Sequence, residues 1–359
     1  MRESIAGVFQ DKAVLITGGT GSLGKTLTRR LLAGTYGLPR RIVVFSRDEA
    51  KQHFMRVAYS TVKYPTDEVI YDNFRRLLTF RIGDVRDYAS LCGALHDVDI
   101  IINAAALKQV PSCEYFVHEA CLTNITGAAN IVRAIEENRL PVETVVGVTT
   151  DKACLPVNAM GMTKALQERM FISGNISCPG TRFICTRYGN VLASRGSVIP
   201  LFHEQLAAGG PVTITTPEMT RFLLPLSHAV TTIATALKLG YAGETFIPKI
   251  PAARITDVAR ALIGERPVET KVIGIRPGEK IHELMISPEE GFRAYDRGDF
   301  YAVAPMLPEL QRWESAPPRG GAYGSNDSVM TYEETEALLR QYKLMPGDER
   351  TDGDEEVLS

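Results

Sequence analysis

The 359-residue chain has no apolar run of about 18 residues, so no membrane-spanning helix is expected. Its first residues, MRESIAGVFQDK, have neither an apolar core nor a cleavage signature, so no secretory leader is expected. No Cys-x-x-Cys pair occurs. The six cysteines (92, 113, 121, 154, 178 and 185) are scattered, as for free thiols in a reducing compartment. Cytoplasmic location is the default expectation. No metal-ligand spacing is present, and His203 and His282 stand isolated, so no metal is expected. Charge of one sign is also lacking. Lys plus Arg is 40, Asp plus Glu is 42, and the net charge of −2 argues against a nucleic-acid partner. What the chain does have is 45% apolar residues and 23% charged ones, ordinary for a globular protein with length for about two domains.

Five short apolar runs stand out: Ala13–Thr17, Arg41–Phe45, Asp99–Asn103, Thr144–Thr150 and Arg182–Arg187. Between them lie amphipathic stretches such as 24–33 and 120–137, with apolar residues three and four apart. Apolar strands alternating with helices predict an α/β fold, a Rossmann-like doubly wound parallel sheet covered on both faces. After Asn190 the sequence becomes rich in Gly, Pro and Thr. A smaller C-terminal substrate-binding domain is therefore expected over 191–225 and 251–335. Residues 1–190, with 226–250 returning, form the dinucleotide-binding domain. The acidic stretch 346–359 is expected to be a disordered tail.

The first strand runs straight into Gly18-Gly19-Thr20-Gly21-Ser22-Leu23-Gly24, and a helical pattern follows. Glycines at 18, 21 and 24 let the backbone turn tightly and approach a pyrophosphate, which the helix N-terminus receives. The second strand ends in Ser46-Arg47-Asp48, with Lys51 one helical turn on. Arg47 and Lys51 favour the 2′-phosphate of NADP, while Asp48 keeps NAD open.

The GxxGxxG spacing resembles the extended short-chain dehydrogenase/reductase superfamily. Asp84-Val85 resembles its adenine-contacting segment, and Ala104-Ala105-Ala106 its small-residue segment beneath the cofactor. That superfamily carries Tyr-x-x-x-Lys on a helix. Here Lys164 is in place, but Met160 stands where the Tyr belongs, and a thioether cannot carry the proton.

The run TTDKACLPVNAMGMTK, with AAALKQVPSCEYF, RYGNVLASRGSVIP, MTRF and IRPGEKIHELMI, resembles the nucleotide-sugar 4,6-dehydratases acting on N-acetylglucosamine nucleotides, from about residue 12 to 305. In that family C4 of the sugar is oxidised, water is eliminated across C5 and C6, and hydride returns to C6. The resemblance implies Lys152 as the base at C5, Asp151 as the acid for the leaving hydroxyl and Thr150 as a hydrogen-bond partner of the sugar. A Lys base requires a depressed pKa, which burial or the neighbouring cation Lys164 would supply. Members with Met at the Tyr position include retaining and epimerising enzymes. With Met160, deprotonation of the 4-hydroxyl falls to Asp151 or to a water at Thr150.

Arg221 and Arg276 are the candidate pyrophosphate ligands. Asn190 and Glu279 are candidates for phosphate and ribose, and Arg195 and Val198 fall in the same family-like segments. Lys108 is expected on the sugar or nicotinamide side. The expected substrate is UDP-N-acetylglucosamine. A GDP sugar, added 5-epimerase activity, and a nucleotide-sensing module without catalysis are the alternatives. The resemblance also implies a homo-oligomer, pairing through the helices after Ala120 and Asn158.

Overall fold

The computed structural model describes residues 5–60, 68–192, 197–312 and 316–348. Arg195 and residues 349–359 of the acidic stretch lie outside the described residues.

The apolar runs form β1 (Ala13–Thr17), β2 (Arg41–Ser46), β4 (Ile100–Asn103), β5 (Thr144–Thr150) and β6 (Arg182–Tyr188), with β3 (Leu78–Ile82) on the edge. All pair in parallel, in the order β3-β2-β1-β4-β5-β6. Successive strand side chains point to opposite faces. Val14, Ile16, Ile42, Ile100, Ile102, Val146 and Ile184 therefore enter one buried cluster, and Leu15, Val43, Phe45, Ile101, Val145 and Phe183 enter another. A strand apolar at every position must be covered on both sides, which is what makes this sheet the central layer of the fold.

The connecting helices are α1 (Ser22–Leu32), α2 (Glu49–Ser60), α3 (Glu68–Leu77), α4 (Tyr88–Ala94), α5 (Val110–Tyr115), α6 (Val117–Ala120), α7 (Gly127–Asn138) and α8 (Ala159–Ser177). Leu27 and Leu31 of α1 cover one face, and Ala128, Ile131 and Ile135 of α7 the other. The sequence predicts one helix over 120–137; the chain instead opens into a wider π turn at Cys121–Thr126 before α7. The strand order reverses between β1 and β4, and the crevice outside the carboxyl ends of these strands is where a doubly wound sheet binds its ligand.

The C-terminal part contains β7 (Asn190–Val191), α9 (Val198–Ala207), β8 (Val212–Ile214) and β9 (Thr220–Leu224). Then α10 (Leu226–Leu239) and β10 (Thr245–Pro248) return to the large sheet, where β10 pairs with β6. β11 (Ala252–Arg254), α11 (Ile255–Ile263), β12 (Thr270–Val272), β13 (Leu284–Ile286) and α12 (Pro288–Gly291) follow. β14 (Ala294–Asp296) and β15 (Phe300–Val303) come next, then β16 (Tyr323–Gly324) and α13 (Tyr332–Gln341). Small sheets β11-β9-β7, β12-β8 and β13-β16 organise this part around a separate core that includes Phe202, Leu223, Val258 and Leu262.

One boundary differs from the sequence reading. The sequence pattern places residues 294–303 in the substrate-binding part, yet β15 and β14 extend the large sheet antiparallel beyond β10. Pairing at a sheet edge depends on which strand lies alongside, and a local pattern of residues does not specify that.

Candidate active site

Gly18 adopts φ +63°, and a Cβ there would lie 2.8 Å from the Ala105 backbone; a Cβ on Gly24 would lie 2.5 Å from Gly19 Cα. Only glycine fits these close approaches. Gly21 caps α1 without a side-chain hydrogen bond, and the first turn carries no acidic residue. The first N–H groups of α1, around Ser22 and Leu23, thus suit an anion. Thr20 and Ser46 hydroxyls meet at 2.9 Å across the turn. Ala105 N–H donates to Thr17 Oγ1 at 3.2 Å, which holds the Ala104–Ala106 segment against the glycine turn.

At the end of β2, Arg47 lies 3.7 Å from Asp84, and Lys51 lies 2.7 Å from Asp48. Asp48 accepts the Lys51 backbone N–H at 2.9 Å, so its carboxylate is engaged in starting α2. Burial works to raise the Asp84 pKa, but hydrogen bonds from Arg86 and the charges of Arg86 and Arg47 hold it below the ordinary value. Val85 is buried, and Asn130 donates to its carbonyl at 2.9 Å. A glycine cradle, an uncapped helix start and two cations at the β2 tip together fit a dinucleotide.

β5 delivers Thr150 at its carboxyl end, and the chain turns at once through a short 3-10 segment, Asp151–Ala153. Asp151 is fully buried; its Oδ1 accepts from Thr150 Oγ1 at 2.8 Å and from Lys152 Nζ at 3.1 Å, while Oδ2 has no partner. Lys152 Nζ also lies 3.2 Å from Asn190 Oδ1 and 3.3 Å from Glu283 Oε1.

This arrangement corrects the expected depression of the Lys152 pKa. Burial lowers it, but Asp151 and Glu283 outweigh burial, and the net direction is upward. The cation that opposes them is Arg221, not Lys164. Lys164 is buried on α8, where its Nζ donates to the Val148 carbonyl at 2.7 Å and to Gln167 Oε1 at 2.6 Å. Burial lowers its pKa to about 8.

Asn158 caps α8 by accepting the Gly161 N–H at 2.8 Å. A Cβ at Gly161 would lie 2.2 Å from the Lys152 carbonyl oxygen, so the helix start presses directly on the Asp151–Lys152 turn. Met160 is buried in a small apolar cluster with Cys113 and Ala120. Its place is thus packing, consistent with a side chain that handles no proton.

The 276–283 segment closes over this turn. Gly278 O accepts from Asn158 Nδ2 at 2.8 Å, and Lys280 Nζ donates to Cys154 O at 2.6 Å. Arg276 is exposed in this loop, while Glu279 Oε2 is buried without a partner. Arg221, the expected pyrophosphate ligand, is buried and anchored to this loop. Its guanidinium donates to the carbonyls of Thr220, Ile281 and Lys280 at 2.8, 3.0 and 2.9 Å. These three bonds fix Arg221 against the loop and leave two of its five N–H donors, on Nε and Nη2, without a partner among them. Asn190 sits beside Lys152, Val198 starts α9, and Lys108 is exposed after Ala104–Ala106.

Sequence reasoning missed three further groups. Glu283 is one. Asn124, in the π turn, accepts the Leu107 N–H at 2.9 Å and donates to Leu107 O at 3.0 Å and Thr163 Oγ1 at 2.9 Å. It ties the Ala104–Lys108 segment to α8. The third is buried Arg187, which bridges Glu168 of α8 at 2.7 Å and Glu290 of α12 at 2.8 Å. The widened helical turn was the only local signal available for any of them, and it shows only in the backbone.

A family model described as polysaccharide biosynthesis protein matches residues 14–305. A UDP-N-acetylglucosamine 4,6-dehydratase (inverting) of Campylobacter jejuni is 41% identical over 303 residues, covering 84% of this chain and 85% of that one. A protein of Rickettsia conorii named UDP-glucose 4-epimerase is 44% identical over 301 residues, covering 82% and 84%. Among solved structures, Pen from Bacillus thuringiensis superposes with a TM-score of 0.82 at 32% identity, over 94% of this chain and 99% of that one. DesIV, a dTDP-glucose 4,6-dehydratase from Streptomyces venezuelae with NAD bound, has a TM-score of 0.63 at 22% identity over 75% and 86%, and shares the fold.

Proposed function

The chain belongs to the polysaccharide biosynthesis protein family, and from that membership we propose that it is an NADP-dependent UDP-N-acetylglucosamine 4,6-dehydratase. The observation that carries this reading is the Thr150–Asp151–Lys152 turn, with an acid and an amine 3.1 Å apart at the carboxyl end of β5. Elimination across C5 and C6 needs a group that takes the C5 proton and a group that protonates the departing 6-hydroxyl. Epimerisation at C4 needs neither, which weighs against the activity named for the Rickettsia relatives.

A bound nicotinamide supplies the hydride acceptor at C4 and the hydride donor at C6. Lys152 takes the C5 proton as the neutral amine, its ammonium proton having first been released to solvent, once the C4 ketone has made the C5 proton acidic. Asp151 is buried, so the Thr150 hydroxyl bonded to its Oδ1 is the link to the sugar. The 4-hydroxyl proton reaches Asp151 through Thr150 in place of the missing phenol, and Asp151 then holds the proton with which the 6-hydroxyl departs. Lys164 keeps a third N–H for the nicotinamide ribose beside the two donated to Val148 and Gln167. Asn190, Val198, Arg195, Arg276, Glu279 and Lys108 surround the nucleotide sugar in this reading. The unpartnered Glu279 oxygen suits ribose hydroxyls. Arg47 and Lys51 receive the 2′-phosphate, because Asp48 is held by α2.

The division of labour follows the two cores: 1–190 with 226–250 for the dinucleotide, 191–225 with 251–335 for the sugar nucleotide, less the β14–β15 hairpin. A cytoplasmic homo-oligomer completes the reading. No helix among the described residues is long and apolar enough to cross a membrane.

The test is incubation of the purified protein with UDP-N-acetylglucosamine and, separately, its GDP counterpart, without added reductant. Loss of one water from the UDP sugar is the expected result, and NMR in heavy water gives the C5 configuration. An unchanged mass with inverted C4 would establish the epimerase instead. No change with either nucleotide would overturn the dehydratase reading in favour of a sensing module.

A further inference from the structure

Glu283 stands just before β13, and its carboxylate is almost fully buried against Lys152, with Oε1 3.3 Å from Nζ. Its backbone is fixed at both ends: Glu283 N–H donates to Ser325 Oγ at 3.0 Å, and Ser325 N–H donates to the Glu283 carbonyl at 2.8 Å. The Glu283 Oε2 atom is buried without a partner, so the carboxylate is desolvated for no gain in folding beyond its contact with Lys152. Lys152 thus meets three oxygens, Asp151 Oδ1, Asn190 Oδ1 and Glu283 Oε1, matching the three donors of an ammonium. Resting on the reading of Lys152 as the C5 base, we propose that Glu283 is a positioning residue that aims Lys152 and governs when it gives up its proton.

The charges around Lys152 can be named. Asp151 lies on its own turn, Glu283 before β13 and Arg221 on β9. On α8, Lys164 is bound to Val148 and Gln167, and Glu168 to Arg187. Lys280 is bound to Cys154 O. Only the neutral Lys152 amine can remove the C5 proton, so its ammonium proton must first be released to solvent. Once Asp151 has accepted the 4-hydroxyl proton and is neutral, Glu283 is the carboxylate in contact that still opposes this release. An opposite charge at this range is worth about 1–3 pKa units.

The variant Glu283→Gln keeps the shape and removes the charge. Two profiles are read in the full-length protein: the pH dependence of kcat for water loss, and the pH dependence of Lys152 acylation by acetic anhydride, followed by peptide mass spectrometry. Both midpoints are expected to fall by about 1–2 pH units in Glu283→Gln. Glu283→Asp, with the charge withdrawn by one methylene, is expected to give a smaller fall in both, with kcat reduced more than KM is changed. Unshifted acylation midpoints in both variants would overturn the proposal, whatever the activity. A shifted acylation midpoint without any dehydration in the parent protein would leave Glu283 as the Lys152 partner and sink the dehydratase reading instead.

Discussion

Lys164 and Lys152 carry the same side chain and lie close in sequence, yet their surroundings push them in opposite directions. Lys164 is surrounded by helix and strand and has no carboxylate in contact, so burial sets its pKa at about 8. Lys152 has two carboxylates within 3.3 Å, and they override burial. The Lys164 shift has a stability consequence. Below pH 8 both folded and unfolded chains carry the charge, and the fold bears the whole cost of burying it. Between pH 8 and 10.5 the folded chain binds fewer protons than the unfolded one, so stability rises with pH through that window. Lys164→Met is therefore expected to stabilise the protein at neutral pH, by up to about 3 kcal/mol, to flatten that rise, and to abolish turnover. Urea melts at pH 7 and pH 10 check it; a variant that is less stable at pH 7 would contradict the assigned cost. Motif spacing made Lys164 legible as a site residue, and the family resemblance did the same for Lys152. The protonation of Lys152 was not legible, because it depends on Glu283 and Arg221, which are brought in from far along the chain.

At the scale of elements, β6, α8 and α12 are fastened by one side chain. Arg187 makes paired contacts with Glu168 and Glu290 and donates to the Met285 carbonyl at 2.7 Å. Burial works to raise the Glu290 pKa, but the Arg187 charge and hydrogen bonds bring it down to about 2. The stability this gives is present above the ordinary carboxylate range and is lost as pH falls toward 2. Glu168 also accepts from Thr149 Oγ1 at 2.5 Å, so the same network braces the strand end that carries Thr150. Arg187→Met leaves two buried carboxylates without a counter-charge and is expected to cost about 3–5 kcal/mol at neutral pH. That loss should shrink as the pH is lowered and the carboxyls take protons. Denaturant midpoints at pH 7 and pH 5 check both parts; an equal loss at the two pH values would show that packing, not charge, is at stake. None of this network showed in the sequence, since Glu168 sits in an unremarkable helical stretch and Glu290 follows a proline in a loop-rich region.

At the scale of the whole molecule, α8 turns one face to the sheet and another outward. Met162 and Leu166, one helical turn apart on α8, are both about half exposed; Val157 just before α8, Tyr115 at the end of α5 and Phe116 after it are also exposed, and α5 packs against α8. A patch of this kind marks an interaction surface more often than a solvated one. In the homo-oligomer reading it is covered by a second copy. Met162→Glu with Leu166→Lys is expected to yield a smaller species in sedimentation velocity with the fold intact by circular dichroism. An unchanged sedimentation coefficient would place the contact elsewhere.

The sequence by itself determined the central sheet, the glycine turn and the placement of Asp151 and Lys152 at the end of β5, while their roles as acid and base came only from the family resemblance. These rest on local rules: apolar runs must be covered on both faces, a close backbone approach requires glycine, and a strand end in a doubly wound sheet opens onto the crevice. Only the tertiary structure decided that Arg221 anchors the 280–281 loop, that β14 and β15 extend the large sheet, and that Glu283 faces Lys152. Each of those depends on which groups from distant segments are brought within a few ångströms inside a poorly solvated site. There charge and hydrogen-bond geometry, which spacing along a chain does not encode, fix what a side chain can do.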